Sequence, residues 1–175
     1  MVEDRDLGLK QVRASLQYLN THSAKFGWVS QPEPESKGEG RGGDSKEDDD
    51  GNKTEVTVAK VARAHELGLG TLKGIQPPRS ALIATLDERT AQIDEMTAEF
   101  IGPVFEGKLI GEIGIRLLAE GIVDLIKDRY VSQENWKPLS EERKAQKVRG
   151  GKSGNQARIY TGQELNAIRY EIGPF

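Results

Sequence analysis

The stretch LIGEIGIRLLAEGIVDLIKDRYV, residues 109–131, decides the fold of this 175-residue chain. Its apolar residues recur at helical spacing, with charged residues between them. The apolar positions are Ile110, Ile113, Leu117, Leu118, Ile122, Leu125 and Ile126. They form a surface wide enough to contact both a sheet and a second helix. We therefore predict one long helix over 109–131 and expect it to be the core of the fold.

Helical spacing of apolar residues also predicts helices on both sides of this core helix. Before the core helix we predict helices at 9–19 and at 58–67, the second ended by Gly68. A third begins at the capping sequence Thr85–Glu88 and is disturbed near Pro103. After the core helix we predict a short helix following Ser140 and a single helical turn following Thr161. The chain is therefore mostly helical.

Alternation of apolar and polar residues predicts three short strands, at 26–30, 54–58 and 168–172. We expect the first two to be joined by the intervening loop. Strands and helices do not alternate regularly along the chain, which favours an α+β fold over a doubly wound one. The predicted fold class is α+β, with a small antiparallel sheet packed against several helices.

Residues 31–53 form a long acidic segment without any aliphatic or aromatic residue. They contain eight acids against four bases, with five glycines and two prolines. Such a composition cannot bury apolar surface, so we predict a flexible, disordered insertion loop. We expect the whole chain, 1–175, to form a single domain that carries this loop.

The composition excludes several classes of protein. The chain has no cysteine, which removes disulfides, thiolate metal sites and a cysteine nucleophile. It has no apolar run long enough to cross a membrane, and its charged N-terminus does not resemble a secretion signal. We therefore expect synthesis in a cytoplasm and no membrane partner.

Sequences that resemble catalytic motifs each lack a required residue. Gly150–Ser153 looks like the end of a phosphate-binding loop, but the first glycine of that pattern is replaced by Gln146. His65 and Glu66 begin like a zinc-protease helix, but Leu69 stands where the second histidine is needed. We predict no enzymatic activity, no catalytic or metal-binding residue, and no cofactor.

The segment 136–158 is strongly basic, with seven bases against two acids. The bases are Lys137, Arg143, Lys144, Lys147, Arg149, Lys152 and Arg158. Such a segment is able to contact DNA phosphates or an acidic protein surface, and a solvated basic face is the plain alternative. Its single aromatic residue, Trp136, gives little support for stacking on single strands.

The order of several short motifs resembles the tail-completion and neck proteins of tailed bacteriophages, including the Mu-like virion morphogenesis group. The motifs are VTVAKVARAHELG at 56–68, IQPPRS at 75–80, TLDE at 85–88, KPLS at 137–140 and YTGQELNAI at 160–168. The motif residues are His65, Glu66, Gly68, Pro77, Pro78, Arg79, Pro138, Thr161, Gly162 and Asn166. The similarity covers residues 54–172 and concerns architecture.

The resemblance implies a structural virion protein without catalysis. It implies a homo-oligomeric ring, commonly a hexamer, at the head-proximal end of the tail or in the neck. There the ring completes the tail and joins it to the head connector, after assembly in the host cytoplasm. The partners would be tail tube or terminator proteins and neck connectors, with passive contact to genomic DNA. The alternative is a nucleic-acid-binding regulatory protein that uses the basic C-terminal arm.

Overall fold

The computed structural model describes residues 8–28, 58–69, 78–149 and 163–175. In these ranges the elements are α1 Leu9–Thr21, β1 His22–Trp28, α2 Val58–Leu67, α3 Leu82–Glu88, α4 Thr90–Phe105, α5 Gly111–Ser132, α6 Glu141–Arg149, α7 Gln163–Asn166 and β2 Ile168–Pro174. The fold class is α+β, as predicted. The predicted acidic loop at 31–53 lies outside the described residues.

The chain forms two compact units. Unit 1 contains Met1–Gly27, Ala81–Asn135 and Ile168–Phe175. Unit 2 contains Trp28–Ser80 and Trp136–Ala167. The single domain over 1–175 stays a prediction.

Helix α5 is the core of unit 1, although only Ile122 and Ile126 of the seven predicted apolar positions are buried and Ile110, just before the helix, is 41% exposed. Helices α1, α3 and α4 and strand β2 all pack against it. The buried apolar residues of this unit are Ala81, Val104, Ala119, Ile122, Val123, Ile126, Tyr130 and Ile168. Five of these eight residues belong to α5, so this helix supplies most of the buried apolar residues that the structure describes in unit 1.

Two glycines let other helices approach α5 closely. A Cβ atom on Gly111 would lie 2.5 Å from the backbone oxygen of Ser15 in α1. A Cβ atom on Gly114 would lie 2.7 Å from Cγ2 of Val104 in α4. Real Cβ contacts are longer than either distance, so the packing of both helices requires glycine here.

The prediction that Thr85–Glu88 caps a helix is wrong. Thr85 lies inside α3, which begins at Leu82 and ends at Glu88. Its hydroxyl donates to the carbonyl oxygen of Ala81, 2.6 Å away, and the residue is fully buried. A threonine hydroxyl that donates to the carbonyl four residues earlier is typical of a helix interior, so Thr85 is not the N-cap of a helix.

The antiparallel sheet pairs β1 with β2. Just beyond the paired strands, the backbone N–H of Phe175 donates to the carbonyl of Thr21 at 3.1 Å. The closing strand is confirmed, but the partner predicted for β1 was the segment 54–58. Val58 instead begins helix α2, and residues 54–57 lie outside the described ranges. Long-range pairing of this kind leaves no local sequence signal.

Unit 2 contains three short helices, α2, α6 and α7. The buried residues of α2 are Ala62 and Glu66, and the buried residue of α6 is Lys147. Polar side chains therefore occupy most of the buried helix positions described in this unit. No helix in the described part of the chain is long and apolar enough to cross a membrane.

Candidate functional site

The polar residues at the end of α2 form a cluster that joins distant segments of unit 2. We name it the α2-end cluster and define it as His65, Glu66, Ser80 and Glu164. Two of these residues come from α2, one from the segment before α3, and one from α7. His65 pairs with Glu164, and Ser80 pairs with Glu66.

The first pair joins α2 to α7. Nδ1 of His65 lies 3.0 Å from Oε1 of Glu164, and both side chains are mostly buried. The indole N–H of Trp28 donates to the backbone carbonyl of the same Glu164 at 3.0 Å. These contacts join α2, α7 and Trp28 within unit 2.

The second pair joins α2 to the segment before α3. The hydroxyl of Ser80 donates to Oε2 of Glu66 at 2.6 Å, and Glu66 is only 6% exposed. The indole N–H of Trp136 donates to the backbone carbonyl of Ser80 at 3.1 Å. A buried carboxylate needs donors of this kind, because desolvation without them is costly.

The backbone at the end of α2 stabilises the same arrangement. Gly68 has a φ of 65°, the left-handed conformation that glycine adopts without strain, as the predicted terminal glycine requires. Beside it, the N–H of Leu69 donates to the carbonyl of Ala64 at 2.9 Å, and the N–H of Arg79 donates to the carbonyl of His65 at 2.9 Å. The end of α2 thereby binds Leu69 and Arg79, the two described residues that donate to it.

The geometry of the cluster suits non-covalent joining of distant chain segments. The Ser80 hydroxyl is bonded to Glu66, while His65 is paired with Glu164. Among the residues that the structure describes, no group of three histidine, aspartate or glutamate side chains is placed to hold a metal ion.

The other predicted motif residues differ in solvent exposure. Arg79 is half-buried, whereas Pro78, Pro138 and Asn166 are exposed. Pro77, Thr161 and Gly162 lie outside the described residues. Within the motif set, His65, Glu66, Gly68 and Arg79 therefore make the contacts that define the end of α2.

The basic segment 136–158 contains helix α6, which starts after Ser140 as predicted. The N–H of Arg143 donates to the Ser140 hydroxyl at 3.3 Å, a normal N-cap contact. Lys137, Arg143 and Arg149 are exposed, while Lys144 is paired with Glu141 at 2.7 Å. Lys152 and Arg158 lie outside the described residues.

Lys147 departs from the predicted basic surface because it is buried, with 5% of its area exposed. Burial lowers the pKa of its ammonium group, and the nearby charge of Arg143 lowers that pKa further. Lys147 is therefore a poor candidate for contact with DNA. The exposed bases of this helix are fewer than its sequence suggests.

The two tryptophans have a role that their sequence context did not predict. Trp28 and Trp136 each donate an indole N–H to a backbone carbonyl of the cluster region. Both are half-buried. Tryptophan in a chain with so few aromatic residues was the available signal, because a buried indole needs an acceptor.

No protein-family model matches this chain, and neither the curated proteins nor the solved structures contain a match to it.

Proposed function

We propose that this chain is a structural virion protein of a tailed bacteriophage. It acts as one subunit of a ring, commonly sixfold, at the head-proximal end of the tail or in the neck. The ring completes the tail and meets the head connector, and the chain catalyses nothing. Its place is the virion, after assembly in the host cytoplasm.

The observation that carries the proposal is the contact between two motif segments that are far apart in the sequence. His65 belongs to the first quoted motif and Glu164 to the last, and their side chains lie 3.0 Å apart. The motifs follow each other along the chain in the order that the resembled family has. If residues of distant motifs are in contact in the folded chain, a shared structural role explains them. This contact supports reading the motifs as architecture.

The surroundings of the motif residues support a role without chemistry. Both polar pairs of the α2-end cluster join segments of the chain, and each is largely buried. Groups that must bind or transform a substrate need access to it. Side chains that are engaged in hydrogen bonds and ion pairs between chain segments suit a subunit with a structural function.

The test is association with phage tails. Tails prepared without this protein are mixed with the purified chain and studied by native mass spectrometry and electron microscopy. We expect a ring of fixed stoichiometry at the head-proximal end of each tail. Complete tails serve as the control, since their sites are already filled. A chain that associates with neither tails nor connectors would contradict the proposal.

The alternative function is nucleic-acid binding by the basic arm. Exposure of Lys137, Arg143 and Arg149 favours it. Binding of duplex DNA by the isolated chain, with an affinity that falls steeply as salt rises, would support this alternative. Reversal of the charge of these three residues should then abolish binding, while the same change at Lys25, an exposed base of β1, serves as the matched control.

A further inference from the structure

Unit 2 contains far fewer hydrophobic residues than unit 1. Of its 85 residues, 21 belong to the hydrophobic set AVILMFWYC, against 41 of the 90 residues of unit 1. Among the residues that the structure describes in unit 2, Ala62 is the one buried apolar residue, beside the charged Glu66 and Lys147. Burial of apolar surface stabilises a fold, whereas burial of charge opposes it. Burial therefore stabilises unit 2 much less than unit 1.

Two stretches of chain make up unit 2, and each is flanked on both sides by residues of unit 1. We name residues 28–80 the first segment and residues 136–167 the second segment. The first segment contains α2, and the second contains α6 and α7. Helices α1, α3, α4 and α5 and strand β2 all belong to unit 1. Separation of the two segments would therefore leave the elements around α5 intact.

Polar contacts join the first segment to the second. The indole N–H of Trp28 donates to the backbone carbonyl of Glu164 at 3.0 Å, and Nδ1 of His65 lies 3.0 Å from Oε1 of the same Glu164. The indole N–H of Trp136 donates to the backbone carbonyl of Ser80 at 3.1 Å. One hydrogen bond shifts a folding equilibrium by only about two- to tenfold. Contacts of this strength allow the segments to separate.

The two tryptophans join the ends of the segments. Trp28 begins the first segment and bonds Glu164, near the end of the second. Trp136 begins the second segment and bonds Ser80, the last residue of the first. Each indole thus holds the start of one segment to the end of the other. Loss of either bond would release a pair of segment ends at once.

We propose that unit 2 opens as one cooperative unit, its two segments separating while unit 1 stays folded, and that the indole bonds of Trp28 and Trp136 hold it closed. Regions with few buried apolar contacts open at lower free energy than the core of the same protein. A partner that binds only closed unit 2 would stabilise it by linkage, so the opening is a point at which binding is controlled. The inference goes beyond the proposed function and does not depend on it.

Tryptophan fluorescence tests the opening directly, because both tryptophans of the chain belong to unit 2. The full-length chain is unfolded in denaturant, and tryptophan emission is compared with the hydrogen-exchange protection of α5, measured by mass spectrometry. We expect the emission to change at a lower denaturant concentration than the one at which α5 loses its protection. Coincidence of the two transitions would overturn the proposal, since the whole chain would then unfold in one step.

Hydrogen exchange in native buffer tests whether the opening is cooperative. We expect amides of α2 and α6 to exchange through a common opening, with one free energy that is lower than that of α5. Different opening free energies for α2 and α6 would show that the segments open independently. A lack of any protection in these two helices would show that unit 2 is not held closed. Either result would overturn the proposal.

Two variants test the role of the indole bonds. Trp28→Phe and Trp136→Phe should each accelerate exchange in both α2 and α6 by about two- to tenfold and leave α5 unchanged. Tyr170→Phe, which removes an aromatic hydrogen bond to Glu120 within unit 1, is the matched control and should leave exchange in α2 and α6 unchanged. Circular dichroism checks that each variant folds.

Three outcomes of the variant experiment would contradict the proposal. Unchanged exchange in both tryptophan variants would show that the indole bonds do not hold unit 2 closed. Acceleration confined to one segment would show that unit 2 does not open as a whole. Equal acceleration in Tyr170→Phe would show that the two units do not open separately.

Discussion

Units 1 and 2 are stabilised by different kinds of interaction. Around α5, unit 1 buries more apolar residues than polar ones, the polar ones being Ser15, Thr85 and Arg129, and its helices approach closely at Gly111 and Gly114. Unit 2 has short helices, and its segments are joined by the polar pairs of the α2-end cluster. Apolar packing tolerates exchange of similar side chains, whereas polar pairs depend on specific partners. The two units should therefore respond differently to substitution.

The largest effect is expected from the core of unit 1. Ile126→Ala removes a fully buried side chain from α5 and leaves a cavity. We expect the free energy of unfolding to fall by about 2–5 kcal/mol, measured by denaturant unfolding. Val131→Ala, at an exposed position of the same helix, is the control and should change stability by less than about 1 kcal/mol. Equal losses in both variants would contradict the central role of α5.

The next effect tests whether polar pairs hold unit 2 together. Ser80→Ala removes the hydroxyl that donates to buried Glu66, so stability should fall by about 1–3 kcal/mol. Glu66→Gln and the double variant complete a mutant cycle, measured by denaturant unfolding. A coupling energy near zero would show that this hydrogen bond does not stabilise the fold.

A smaller effect is expected at the contact between β2 and α5. The Tyr170 hydroxyl donates to Oε1 of Glu120 at 2.8 Å, and this hydrogen bond raises the pKa of the phenol. Tyr170→Phe should cost about 0.5–1 kcal/mol of stability. Since the folded pKa is raised, the contribution is present below the ordinary pKa near 10 and is lost as the pH rises through the folded value.

Ultraviolet titration of tyrosine ionisation measures this shift. Glu120→Gln should bring the ionisation of Tyr170 to lower pH, with Tyr170→Phe identifying its contribution to the signal. Tyrosine titration that is unchanged by Glu120→Gln would contradict the assigned cause.

The smallest effect is expected at Lys147 and has the opposite sign. Its pKa is lowered, so the unfolded chain binds more protons between the folded value and the ordinary 10.5. Stability should rise as the pH increases toward 10.5. Lys147→Met should remove that rise and be neutral or slightly stabilising at neutral pH, as measured by unfolding at several pH values. Lys137→Met, at an exposed position, should retain it.

Only two of the four residues of the α2-end cluster, His65 and Glu66, are neighbours in one sequence motif. His65, Glu66 and Gly68 stand out as part of one motif, and the left-handed Gly68 is confirmed. Their partners Ser80 and Glu164 lie 14 and 99 residues from Glu66 and His65. No local pattern predicts such partners, because side-chain hydrogen bonds across the fold depend on how the segments pack.

The sequence by itself determined the helical character of this protein, its core helix α5, the terminal glycine of α2 and the closing strand. Each follows from local periodicity or local backbone preference. Tertiary structure alone decided that β1 pairs with β2, that Thr85 is buried inside α3, and that Lys147 is buried and so does not belong to the exposed basic surface. These outcomes depend on contacts between residues far apart in the chain, where burial overrides local propensity.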